Sequence, residues 1–236
     1  MHGSKLGLQT WVIAIYLLTT NLKGVSSMKL HRDLGVTQKT AWYLAHRIRE
    51  TWSDDQGAPY PGPVEYDETY MGGKMKNMHK HKKREARQRP DLGKTVVVGA
   101  KERDTNRVSA KVIENAEKPT LHGFVGETAA KGAKVYTDEH RSYPGLKDVD
   151  HEAVKHGAGE YVRGQAHTNG MESFWSMLKR GYQGTYHKMS PQHLDRYINE
   201  FAGRHNAREA DTPDQMAMIA RTMTGKRVQY KDLTSS

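Results

Sequence analysis

A chain of 236 residues, 27% of them charged and 36% hydrophobic, has room for one sizeable α/β domain with a small appendage, and the polarity of a protein that dissolves in water. It contains no cysteine, which excludes disulfides and thiolate zinc sites; its net charge of +10 points to a polyanionic partner, most often nucleic acid, over a merely soluble basic protein. The longest apolar run, Trp11 to Leu18, falls short of the about 20 residues that cross a bilayer and lacks the basic flank and cleavage site of a signal peptide, so it reads as a core helix.

In chain order, residues 1 to about 56 are helical in pattern. Trp11, Ile13, Ile15, Tyr16 and Leu18 belong to a helix closed near Asn21 to Gly24. Ser26 or Ser27 caps a short helix through Leu30 and Leu34, Gly35 breaks it, and Thr37 caps a third helix running to about Glu50, with Trp42, Leu44, Ala45 and Ile48 on its apolar side. Short helix, glycine turn and second helix make a helix-turn-helix pattern, which leaves Lys39, His46, Arg47 and Arg49 for solvent or phosphate. The same pattern also serves as a packing element or dimer contact. Asp54 to Pro63 reads as a linker.

Val64 to Tyr70 alternates as a strand closed by Gly72-Gly73. The basic stretch that follows, with Lys80, Lys82, Lys83, Arg84 and Arg87, has no apolar period and reads as a solvated loop able to order on phosphate. Thr95 to Ala100 and Arg107 to Ile113 form a hairpin about Asp104-Thr105-Asn106. A helix over Pro119 to Ala130, a strand from Ala133 to Thr137 and a short strand over Glu152 to Lys155 come next. Thr168 to Tyr182 is a helix burying Phe174, Trp175 and Leu178. Another begins at Ser190-Pro191, and Thr212-Pro213-Asp214-Gln215 is a capping box for a last one to about Thr224. The 13 histidines are scattered and form no HExxH motif.

Three acidic residues stand at telling places in this order. Asp67 lies in the first strand, Asp138 ends the fourth, and Glu172 sits in the first turns of the helix after the fifth. In an open sheet of this topology the first and fourth strands are neighbours, and a covering helix brings Glu172 toward them. Two carboxylates about 4 Å apart repel by about 4 kcal/mol at an effective dielectric of about 20, so such a cluster stays ionised only with cations, and hard oxygen ligands suit Mg²⁺ or Mn²⁺. The competing reading is ordinary surface carboxylates. Glu65 and Glu68 rival Asp67, with Glu65 on its face of the strand and Glu68 on the other; Asp138 caps a turn; Asn169 and Glu172 form a helix-capping pair. Lys179, almost two helical turns after Glu172 and on the same face, suits a phosphate or solvent equally, as does Arg180 beside it.

The segments VEYDETYMGGK from Val64, VYTDE from Val135 and HTNGMESFWSMLKRG from His167 resemble insertion-sequence transposases of the ISXO type, as do the runs from Gly184 to His187, through Glu200-Phe201 and Arg204-His205-Asn206, and Ala41-Trp42 with His46-Arg47-Ile48-Arg49. The resemblance covers nearly the whole chain. It implies an α/β fold, an RNase H-like mixed five-stranded sheet flanked by helices, preceded by a small helical helix-turn-helix region. Residues 1–56 are then the helix-turn-helix region and 57–236 the catalytic domain with its C-terminal helices. It also implies Asp67 and Asp138 as metal ligands, Glu172 as the third with Asn169 as its rival, Lys179 as the accompanying lysine, and Mg²⁺ or Mn²⁺, two ions, as cofactor.

Similar proteins carry a cysteine zinc ribbon before the helical region, so the expectation is of a form lacking that ribbon. The implied activity is metal-dependent cleavage and strand transfer of an insertion sequence. The implied partners are double-stranded DNA, both element ends and target, and further copies of the chain. The implied setting is the bacterial cytoplasm, at the nucleoid, without a membrane. The alternatives are a non-catalytic DNA-binding protein that regulates a full-length transposase, and an RNase H-like nuclease without strand transfer.

Overall fold

β-Branched runs set the sheet. In the computed structural model, which describes residues 4–53, 57–72, 79–80, 83–84, 93–154 and 167–235, β1 is Val64–Gly72, β2 Lys94–Glu102, β3 Val108–Ile113, β4 Lys134–Thr137 and β5 Asp150–Ala153. They form one five-stranded sheet in the order β3-β2-β1-β4-β5. β1 pairs antiparallel with β2, and β2 with β3, through a hairpin whose turn residue Asn106 takes the left-handed conformation at φ 55°. β4 pairs parallel with both β1 and β5. A parallel neighbour needs a crossover, and α4, Lys118–Thr128, supplies it between β3 and β4.

One face of the sheet makes the apolar core. Val64, Tyr66, Val96, Val98, Ala100 and Val135 pack there with Leu121, Phe124 and Val125 of α4 and with Tyr143. The other face carries α5, Asn169–Gly181. This is the mixed, helix-flanked, RNase H-like sheet that the sequence implies.

Gly57–Lys179 form one compact unit, and Met1–Gln56 join Arg180–Ser236 in a second. The C-terminal helices, expected in the catalytic domain 57–236, therefore group with the N-terminal ones. The reason is a shared core: Ile219 and Met223 of α7, Thr212–Thr222 and its C-cap, bury with Trp11, Ile15 and Leu18 of α1, Leu8–Thr20, and with Leu44 and Ile48 of α3, Gln38–Arg49.

Between α1 and α3 lies α2, Ser27–Leu34, capped by the Ser26 side chain. Gly35 then turns at φ 63° and the Thr37 side chain caps α3, which gives the helix-turn-helix outline with the stops and starts the sequence predicts. α3 is held to α6, Pro191–Asn206, by a buried ion cluster: Arg49 Nε donates to Glu200 Oε2 at 2.5 Å, Arg204 donates to the other Glu200 oxygen, and Tyr186 O–H adds a bond at 3.2 Å. Burial alone would raise the Glu200 carboxyl, but Arg204 and Arg49 outweigh it and hold the group low.

One cap and one helix differ from expectation. Asp211, not Thr212, caps α7, because its carboxylate accepts from Asp214 N–H at 2.9 Å. The sequence reading also missed α8, Tyr230–Thr234, which Gln229 and Asp232 close as a capping box. Among the described residues, no helix is long and apolar enough to cross a membrane.

Candidate active site

β1 sorts its acidic residues by the period of a strand. Tyr66 points to the α4 core and Glu68 follows it, accepting from Tyr143 O–H at 2.8 Å with His140 Nδ1 at 3.6 Å. Glu65 and Asp67 point the other way, to α5. Glu65 is 1% exposed and accepts from Arg103 Nε at 2.8 Å and from Met171 N–H, in the first turn of α5, at 3.1 Å. It is therefore committed to holding the positive N-terminal end of α5 on the sheet. Asp67 Oδ2 accepts from Trp175 Nε1 at 3.0 Å, and its Oδ1 accepts from Glu68 N–H at 2.9 Å.

The β1–β4 register pairs Val64 with Val135 and Glu65 with Tyr136. Asp138 directly follows β4, and the same register extended two residues pairs it with Asp67. The electrostatics agree. Burial first, then the charges of Glu68 and Asp138, push the Asp67 carboxyl up to about 7. Burial first, then Asp138, also raises Glu68, so three negative groups share one small region at the end of β4. Asp138 does cap a turn, accepting from His140 N–H at 3.0 Å.

α5 starts one residue earlier than a cap at Asn169 requires. Thr168 accepts from Glu172 N–H at 3.0 Å through its carbonyl, so Asn169 is the first helical residue. Asn169, Glu172, Lys179 and Arg180 are all exposed. Glu172 lies three residues before Trp175 and is its neighbour on the helix surface. The structure thus brings Asp67 and Asp138 together, with Glu172 outside the pair; among the described residues no three His, Asp or Glu side chains converge as a metal cluster.

The basic candidates divide by burial. Lys39 is exposed, with its ammonium 4.4 Å from the centre of the Tyr230 ring, and Arg47 is half-buried, its guanidinium 4.8 Å from the centre of the Trp11 ring. Lys80 and Arg84 are exposed and Lys83 half-buried, whereas Lys82 and Arg87 lie outside the described residues. His46 and Arg49 are corrected: at 0% and 2% exposure neither reaches a phosphate. Their places on α3 face the α6 side of the bundle, where His46 packs on His193 and Tyr197 and Arg49 binds Glu200. The sequence reading took Trp175 only as a core residue. The signal for its second role is Gly99, a glycine inside the valine-rich β2, where a missing side chain marks a close approach.

The ISXO2-like transposase domain matches residues 60–206, which takes in the whole sheet, α4, α5 and all of α6. The chain belongs to the ISXO2-like transposase family. A relative of this transposase, an uncharacterized protein in transposable element ISH50 of Halobacterium salinarum, is 26% identical over 211 residues, covering 84% of this chain and 69% of that protein. Among solved structures, a chain of the simian T-cell lymphotropic virus intasome in complex with PP2A regulatory subunit B56 gamma is similar at 14% identity and a TM-score of 0.38; the match covers 81% of this chain and 65% of that one.

Proposed function

We propose that this transposase-family chain cuts and rejoins DNA at insertion-sequence ends with divalent cations, Mg²⁺ or Mn²⁺, held by Asp67 and Asp138. The observation that carries this is the pair itself: two half-buried carboxylates, Asp67 on β1 and Asp138 just past the end of the parallel β4, with burial first and then the charges of Glu68 and Asp138 raising the Asp67 carboxyl to about 7. A seat of hard oxygen donors with surplus negative charge fits a divalent cation, and binding one relieves the repulsion. Such cations supply activation of water or a 3′-hydroxyl and charge stabilisation at the phosphodiester.

The chain's own residues do the rest. Asp67 and Asp138 orient the seat. Glu172, exposed about one turn before Trp175, whose indole touches Asp67, is the α5 carboxylate that would join the pair on a bound cation. Asn169 lies six residues from Trp175, about 9 Å along the helix, and is the poorer third ligand. Lys179 continues the Glu172 face and is exposed, as a residue that grips the backbone of the cut strand must be. Lys39 and Arg47 on α3, with Lys80, Lys83, Arg84 and Arg180, are the cations offered to DNA phosphate.

The test uses purified protein, labelled duplexes carrying the inverted repeats that flank the gene, and Mg²⁺ or Mn²⁺. Joined products are expected from the wild type, with cleavage falling at least about 100-fold in Asp67→Asn and Asp138→Asn. Cutting that survives both changes at the wild-type rate removes the site. Cleavage without joining favours a nuclease, and steeply salt-dependent binding without metal-dependent cutting favours a DNA-binding regulator.

A further inference from the structure

Trp175 reaches Asp67 across a gap in β2. Asp67 and Gly99 are register partners between β1 and β2, so Gly99 is the position directly beside Asp67 on the antiparallel side. A methyl group at Gly99 would stand 2.8 Å from Trp175 Cζ2 and Cη2 and 2.3 Å from Met171 Cε. Only glycine lets the indole lie flat enough on β2 for its N–H to come within 3.0 Å of Asp67 Oδ2. Trp175 itself is 3% exposed, so the bond is shielded from competing water.

The two donors on Asp67 come from different elements, Glu68 N–H from β1 and Trp175 Nε1 from α5. One donor on each oxygen fixes rotation about the last side-chain torsion. A carboxylate accepts about four hydrogen bonds, so a lone pair on each oxygen stays open for a cation. The same contact sets the level on the sheet of the helix that bears Glu172.

We infer that Trp175, seated on Gly99, is a positioning residue for the divalent cation: its indole N–H pre-orients the Asp67 carboxylate and registers α5 against it. This rests on the reading of Asp67 as a cation ligand. Removing a hydrogen-bond partner of a metal ligand typically weakens metal binding by 10- to 100-fold.

The test is a Mg²⁺ titration of ¹⁵N-labelled protein without DNA, following the backbone N–H of Glu68, which sits on Asp67 in every variant that keeps the carboxylate. Wild type should show a saturable shift that Asp67→Asn abolishes. Trp175→Phe, which keeps an aromatic ring and loses the N–H, should need at least tenfold more Mg²⁺ at half-saturation. Gly99→Ala, which lifts the ring but keeps the N–H, should weaken binding in the same direction.

A Trp175→Phe protein that binds Mg²⁺ like the wild type overturns the positioning role while Asp67 keeps its own. An Asp67→Asn protein that still binds like the wild type overturns both. Should the variants not fold, wild-type protein decides alone. Of the four indole N–H signals the sequence provides, substoichiometric Mn²⁺ should broaden a single one first, and uniform broadening refutes the proposal.

Discussion

At the residue scale, the informative side chains are polar groups whose burial has a visible cause. Glu65 and Asp67 stand two apart on the same face of β1, yet Glu65 spends its oxygens on Arg103 and the start of α5 while Asp67 spends its on one backbone and one indole donor. The difference is in neighbours, since the two carboxylates are chemically alike. His46 shows the opposite case. It is fully buried, and neither ring nitrogen has a hydrogen-bond partner. Burial first, then Arg49, His193 and Arg196, lowers its pKa to about 2 from 6.5.

The sign follows from that depression. Above pH 6.5 the ring is neutral folded or unfolded, and below it the unfolded chain binds a proton that the folded one refuses. Stability should therefore fall by about 1.4 kcal/mol per pH unit on this account as pH drops below 6.5. Thermal melts from pH 7 to 4 should show His46→Phe with a flatter decline than wild type, and parallel profiles would refute the assignment.

Helices and strands divide by how local their signals are. Ser26, Gly35 and Thr37 mark the ends of α2 and α3 through bonds to atoms within a few residues, and they act in the structure as they read in the sequence. Thr37→Ala should cost about 1 kcal/mol, read as a lower denaturant midpoint for the helical unit, with no change in Mg²⁺ affinity. Asp211 and Thr212 are both good caps side by side, and local chemistry does not choose between them; the choice falls to the chain geometry that lets Asp211 reach Asp214 N–H. The strands were legible because β-branched alternation and the Asp104–Asn106 turn are local too. That β1 and β4 are neighbours was inferred from strand order, and with it the pairing of Asp67 and Asp138.

For the whole molecule, the decisive contacts join residues far apart in the chain. Arg49 and Glu200 are 151 positions apart and meet at full burial, with Arg204 on the other oxygen. Glu200→Ala leaves two guanidinium groups buried without their shared acceptor, and should cost about 3–5 kcal/mol in a chemical-denaturation curve. Replacement that leaves the curve unchanged would mean that water already serves those arginines.

Composition, strand and helix periods, caps and the acidic spacing were properties of the sequence alone, and they sufficed for the α/β class, the order of elements and the choice of Asp67 and Asp138 as candidates. Tertiary structure alone assigned the C-terminal helices to the N-terminal unit, turned Arg49 and His46 inward and brought Trp175 over Gly99 to Asp67. The physical reason is range: periodicity and caps act over a turn or two, whereas which face of a helix meets which partner depends on packing between segments that the chain separates by tens to hundreds of residues.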